Sequence, residues 1–257
     1  MTDPALEVLP LALDDTWAYG PGILHGGFLL ELLAGHAVTE AHPHPLATTA
    51  HFLAAPRVGA AEVHRTRLRT GRSAAVTRVA LVQEGRTCLD AVVTAGRLSD
   101  DPAVAYDDAP PPVLPPLEEC VVSASLLEGE RNGIVENLEQ RLDPATTGWL
   151  DGQPRERALV QGWLRSATGR EVDPLFLLCL ADGLPPVPFA LGMRGWVPTV
   201  SMTVYVRALP APGWVRAVQQ ARVIADGWLD EDCLLYDSTG RLVAQATQLA
   251  GYRPAPA

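Results

Sequence analysis

Phe28-Leu29-Leu30-Glu31-Leu32-Leu33-Ala34-Gly35 is apolar almost all round its helical projection. A surface helix needs only one apolar stripe, so this pattern predicts a helix over about 26–41 that a sheet encloses. Strand-like runs follow near 47–55, 61–70, 74–83 and 87–97, separated by the turn signals Arg57-Val58-Gly59, Gly71 and Glu84-Gly85. The reading is one core helix followed by an antiparallel meander.

The same grammar returns later in the chain. Strands are expected at 136–142 and 159–166, and Asp173-Pro174 then supplies a helix cap with proline at the first helical position. The helix is expected to run to about Leu184, where Pro185-Pro186 stops it. Strands near 199–208, 214–225, 231–236 and 241–252 follow, with Ser238-Thr239-Gly240 as a hairpin turn. The text itself repeats. Phe28–Gly35 matches Phe176–Gly183 at an offset of 148, with six of eight positions agreeing as apolar or glycine. His51–Pro56 matches Tyr205–Pro210 in pattern at an offset of 154, and Thr87–Gly96 matches Arg241–Gly251 with one residue inserted. Between the copies, Ser99–Pro116 carries Asp100-Asp101-Pro102 and Pro110-Pro111-Pro112, which suit neither a helix nor a central strand. The expected division is a first repeat at 1–98, a linker at 99–118 and a second repeat at 119–257. Two helix-plus-meander units predict an α+β fold with helices inside curled antiparallel sheets.

Composition narrows the function. With 257 residues, 47% hydrophobic and 19% charged, the chain can bury a large core without disulfides. No apolar run approaches the roughly 20 residues of a membrane helix. Met1–Pro10 carries Asp3 and Glu7 where a signal peptide would be basic, so a cytoplasmic location is expected. Cys88, Cys120, Cys179 and Cys233 are dispersed, without metal-ligand spacing, and read as reduced structural thiols. His36, Glu40, His42 and His44 resemble a ligand set, but Pro43 and Pro45 place the last two in a loop, and a solvated helix end is the better reading. No metal and no cofactor are expected. A net charge of −10 argues against a nucleic-acid partner, although all 20 basic residues are arginine. GxSxG, Walker, GxGxxG and HExxH motifs are absent.

Polar residues at apolar positions remain. Asp182 shares a helix face with Leu175, Leu178 and Cys179, near a helix C-terminus that disfavours an anion. The alternative is an exposed, frayed helix end. Gln248 alternates onto one strand face with Leu242, Ala244, Ala246 and Ala250, where an amide needs a partner or a ligand. Thr199, at a strand start, is an ordinary strand residue by itself. Projected through the repeat, Asp182 falls on Ala34, Thr199 on Pro45 and Gln248 on Val93, so the polar set belongs to one copy. Gly26-Gly27 instead project onto Pro174 and Leu175. Glycines at a helix start either expose amide donors to a developing oxyanion or permit close packing. His25, just before them, is a capping residue or a ligand contact.

At Leu24-His25-Gly26-Gly27-Phe28, Leu180-Ala181-Asp182-Gly183, Pro198-Thr199-Val200-Ser201 and Leu242–Gln248, the sequence resembles the acyl-CoA thioesterase II family and its thioesterase-like relatives, over nearly the whole chain. The resemblance implies a double hotdog fold and hydrolysis of acyl thioesters of CoA or of a carrier protein. It also implies a water oriented by Asp182, Thr199 and Gln248, and substrate contacts at His25, Gly26, Gly27 and Phe28. Phe28 departs from the glutamine that often follows the glycine pair. The best-known members also carry Asp-His-Ser in the strand after the hydroxyl position, which is absent here. A hotdog dehydratase or hydratase and a non-catalytic acyl-thioester binder are the alternatives. A homodimer is expected, because hotdog sheets commonly associate.

Overall fold

The computed structural model describes residues 5–20, 22–123 and 132–255. Met1–Pro4, the start of the acidic N-terminal segment, lie outside the described residues. In the first part of the chain come β1 (Leu6–Leu13), β2 (Ala18–Tyr19), β3 (Ile23–Leu24), α1 (Gly26–Gly35), β4 (His44–Phe52), β5 (Gly59–Thr70), β6 (Ala74–Gln83) and β7 (Arg86–Gly96). After a stretch free of helix and strand at 97–116 come β8 (Val121–Val122), α2 (Gly133–Asn137), β9 (Leu138–Leu142), α3 (Gly148–Asp151), β10 (Leu159–Ser166) and α4 (Phe176–Leu180). The chain closes with β11 (Gly195–Trp196), β12 (Thr199–Val206), β13 (Val215–Gln220), β14 (Ile224–Ala225), β15 (Trp228–Tyr236), β16 (Leu242–Gly251) and β17 (Arg253–Pro254).

Most of the strands join into one antiparallel sheet in the order β1-β5-β6-β7-β4-β12-β16-β15-β13-β10-β9-β8, with β14 paired to β15, while β2-β3 and β11-β17 form separate two-stranded ribbons. The two copies meet where β4 pairs with β12. That register is symmetric: Thr49 faces Thr203, while Thr48 faces Val204 and Ala50 faces Met202. An offset of 154 interchanges the last two pairs and maps the first onto itself, so a pseudo-twofold axis passes between the two threonines. Irregularities repeat as well. β4 shifts register between Pro45 and Ala47, and β12 shifts between Thr199 and Ser201. β6 shifts between Leu81 and Val82, and β15 between Leu235 and Tyr236. Bulges bend a strand locally, so shared bulges give both copies the same curl.

Helices α1 and α4 pack side by side and against the inner face of this sheet. Leu29, Leu30 and Leu33 of α1 and Phe176, Leu177 and Leu178 of α4 are almost fully buried. Each such side chain contributes about 1.5–3 kcal/mol of burial. This explains the all-round apolar pattern: one side of each helix meets the sheet and another meets its partner helix. Both helices are shorter than their patterns predicted. α1 ends at Gly35, followed by the non-helical His42–Pro45 stretch, and α4 ends at Leu180, short of Pro185. The expected strand over 136–142 begins as helix α2, where the Asn132 side chain caps Ile134 at 3.0 Å, and becomes strand only at Leu138. Edge strand β1 has no counterpart in the sequence reading. The stretch before β8 runs along the outer face of the second copy, with Trp163 Nε1 donating to Pro115 O at 3.1 Å.

Candidate active site

The junction of α1 and α4 resolves the anomaly of Asp182. Its carboxylate sits just past the end of α4, where the helix dipole opposes it, but the N-terminus of α1 comes to the same place. Gly27 N–H donates to Asp182 Oδ2 at 2.8 Å. Only glycines allow the approach. A Cβ on Gly27 would lie 2.6 Å from Cys179 O and 2.8 Å from Asp182 Cβ, and one on Gly26 would lie 2.9 Å from Asp182 Oδ2. The close-packing reading of the glycine pair therefore holds.

His25 ties the junction together. Its Nδ1 accepts from Phe28 N–H at 3.3 Å, which caps α1 and leaves the ring proton on Nε2. Nε2 donates to Asp182 O at 2.8 Å and lies 3.3 Å from Asp182 Oδ2. The imidazole is buried and stacks on Trp17, which also stacks on Phe28. Asp182 keeps 18% of its side-chain surface exposed. Burial raises its carboxyl above the ordinary range, while His25 and the Gly27 amide draw it back. Burial and the Asp182 charge together raise the Tyr19 hydroxyl.

The resemblance implied carbonyl contacts at both glycines. Gly27 N–H is already committed to Asp182 in this arrangement, because the carboxylate needs a donor. Gly26 N–H, in the first turn of α1, has no partner among the described residues.

Thr199 and Gln248, the other two candidate residues, are joined in a hydrogen-bonded row. Thr199 Oγ1 donates to Gln248 Oε1 at 2.9 Å, and Gln248 Nε2 donates to Glu231 Oε2. Glu231 Oε1 accepts from Val187 N–H at 2.9 Å, and the Gln219 side chain adds a further hydrogen bond. Burial, reinforced by the charge of Asp182, pushes the Glu231 carboxyl up to about 7 against these bonds. Asp182 is thus within electrostatic reach of the Glu231 carboxyl. Sequence reasoning missed Glu231 because its strand was expected to start at that residue. β15 starts at Trp228, and Leu229, Glu231, Cys233 and Leu235 alternate onto the buried face. A carboxylate on that stripe was the available signal.

The mirror-related place in the first copy lacks this chemistry. Val93 lies between Thr48 and Thr77 in the sheet, as Gln248 lies between Met202 and Glu231. The Thr48 and Thr77 hydroxyls are buried without a hydrogen-bond partner.

An enclosed helix pair, a sheet continuous across two repeats and a single polar set at their junction define a double hotdog protein of the thioester-processing kind. Residues 13–96 match the acyl-CoA thioesterase N-terminal domain, and residues 108–252 match the acyl-CoA thioesterase C-terminal domain. The chain belongs to the acyl-CoA thioesterase family and is a thioester hydrolase. It is 34% identical to an uncharacterised protein of Mycobacterium tuberculosis, over 96% of this chain and 92% of that one. A crystal structure from Thermobifida fusca, provisionally assigned as a thioesterase II, is similar with a TM-score of 0.87 and 29% identity, covering 96% of this chain and 92% of that one. A hot dog protein of unknown function from Alicyclobacillus acidocaldarius superposes with a TM-score of 0.83 at 22% identity, covering 98% and 97% of the two chains. An acyl-CoA thioesterase II from Mycobacterium marinum shares the fold at 16% identity and a TM-score of 0.69, covering 98% and 96%.

Proposed function

We propose that this chain hydrolyses acyl-CoA through a water held between Asp182 and Thr199, with Asp182 as general base. The thioester carbonyl oxygen lies at the N-terminus of α1, where Gly26 N–H and the helix dipole favour a developing negative charge. Asp182 takes one proton from the water as its oxygen attacks the carbonyl carbon. The tetrahedral intermediate then collapses, the C–S bond breaks, and the proton on Asp182 passes to the departing sulfur. Gln248 holds Thr199, and Gly27 and His25 hold Asp182. The observation that carries this reading is the placement of a raised, partly exposed carboxylate against the two glycines that start α1.

A dehydratase would need an imidazole nitrogen for its substrate. Both ring nitrogens of His25 are engaged within the protein, which disfavours that alternative. The four cysteines are unpaired, as suits the reducing cytoplasm. A homodimer across the outer sheet face, where Val92, Tyr205 and Leu249 are exposed, extends the proposal; light scattering on a sizing column tests it.

The deciding experiment is release of CoA thiol by Asp182→Asn. Loss of a positioned base should lower turnover by at least about a hundredfold. Near-normal turnover with the fold intact rejects the assignment, as does a wild-type protein that binds acyl-CoA without releasing thiol.

A further inference from the structure

Glu231 stands at the end of the hydrogen-bonded row that begins at Thr199. We propose that it is a positioning residue that sets the direction of the Thr199–Gln248 hydrogen bond, and so makes Thr199 an acceptor for the nucleophilic water. The proposal rests on the reading just given, in which Thr199 and Asp182 hold that water.

The geometry works outward from a fixed point. Val187 N–H, in the turn Val187–Leu191, donates to Glu231 Oε1, and Glu231 is only 3% exposed. An ionised carboxylate is a pure acceptor, whereas a primary amide has one donor end and one acceptor end. Glu231 Oε2 therefore takes the Nε2 end of Gln248 and turns Oε1 toward Thr199. The single hydroxyl proton of Thr199 is then spent on Gln248, and its lone pairs are left for the site. This polarity suits hydrolysis. The attacking water needs an acceptor for each of its two hydrogens, Asp182 and Thr199, and must keep a lone pair free for the carbonyl carbon.

A neutral group at position 231 reverses the row. Its one remaining acceptor stays with Val187 N–H and its donor faces Gln248. Gln248 then turns Oε1 inward and Nε2 toward Thr199, which sends its own proton outward into the lone pair that should attack. The groups facing Glu231 give it reason to change state. Asp182 opposes its charge from the turn after α4. Gln248 and Gln219 are neutral. Cys233 shares its strand face with a thiol raised by burial, and Asp232 lies on the opposite strand face, paired with Arg222. Among the described residues no positive side chain pairs with the carboxyl, and burial, with the charge of Asp182, holds it near 7. The first copy has Thr77 at the matching place.

The test is steady-state hydrolysis across neutral pH by the wild type, E231Q and the exchange variant E231Q/Q248E. E231Q is expected to lower kcat at least about tenfold, with KM changed less than about twofold, and to lose the rise in rate near neutrality. The exchange variant restores the row. The introduced amide at position 231 donates to the introduced carboxylate at position 248, whose other oxygen accepts from Thr199. Its kcat should return to within about threefold of wild type. A wild-type kcat in E231Q, or an exchange variant that folds with a normal thermal transition but stays as slow as E231Q, overturns the role of Glu231. Asp182→Asn run alongside separates the two failures. If it alone stays fast while the exchange still rescues, the base assignment falls and Glu231 keeps its role.

Discussion

Thr49 and Thr203 face each other at the seam of the two repeats with their hydroxyl oxygens 3.1 Å apart, 154 positions apart in the chain. That separation equals the strand offset of the internal repeat. Every residue near the seam therefore has an identifiable counterpart, and differences between counterparts are differences between two possible sites.

The first consequence is stoichiometric. Asp182, Glu231 and Gln248 have Ala34, Thr77 and Val93 as counterparts, so each chain should hold one reactive thioester. Calorimetric titration with a non-hydrolysable acyl-CoA thioether should give one site per chain. Two equivalent sites would contradict the assignment.

Counterparts outside the site should be free to change. The Thr48 and Thr77 hydroxyls are buried and unpartnered, so replacing both with valine removes polar groups at nearly constant shape. Stability should stay level or rise by about 1 kcal/mol per position, with turnover unchanged. Denaturant unfolding and the thiol-release assay together check this.

Close approach predicts a sharp contrast between glycines of α1. Gly27→Ala places a methyl group against Cys179 O and Asp182 Cβ, and should cost about 1–3 kcal/mol together with most of the activity. Gly35→Ala enters open space and should leave stability within about 0.5 kcal/mol or improve it. Thermal melts and kcat for the two variants test the contrast.

Stability should also depend on pH through Glu231. Its folded carboxyl, at about 7, holds its proton more tightly than the unfolded group at 4.5. From pH 4.5 upward the unfolded chain loses that proton first, so this group costs stability progressively until about pH 7 and by a constant amount above it. The full cost is on the order of 3 kcal/mol. The difference in melting temperature between E231Q and wild type should therefore be more favourable to the variant at pH 8 than at pH 5, as scanning calorimetry would show.

Much of this was legible in the sequence because repetition and alternation are local signals. The offsets of 148 and 154, the enclosed helices and the inward face of Gln248 could all be read directly. What could not be read was the meeting of two chain ends of secondary structure: that the glycines of α1 supply the donor which Asp182, at the wrong end of α4, requires. Nor could the Gly27 amide be seen to be occupied, since hydrogen-bond commitment across 155 residues leaves no mark in composition. Glu231 was missed through a misplaced strand start, and β1 through an edge position that weakens alternation.

The stretch free of helix and strand at 97–116 has a role beyond spacing. Two free half-chains could pair like with like, and such assemblies would lack either the glycine junction or the Asp182 row. A short tether holds the unlike halves at an effective concentration on the order of millimolar, which makes the mixed pairing the one each chain forms. Covalent connection thus lets each copy carry a different part of one shared arrangement.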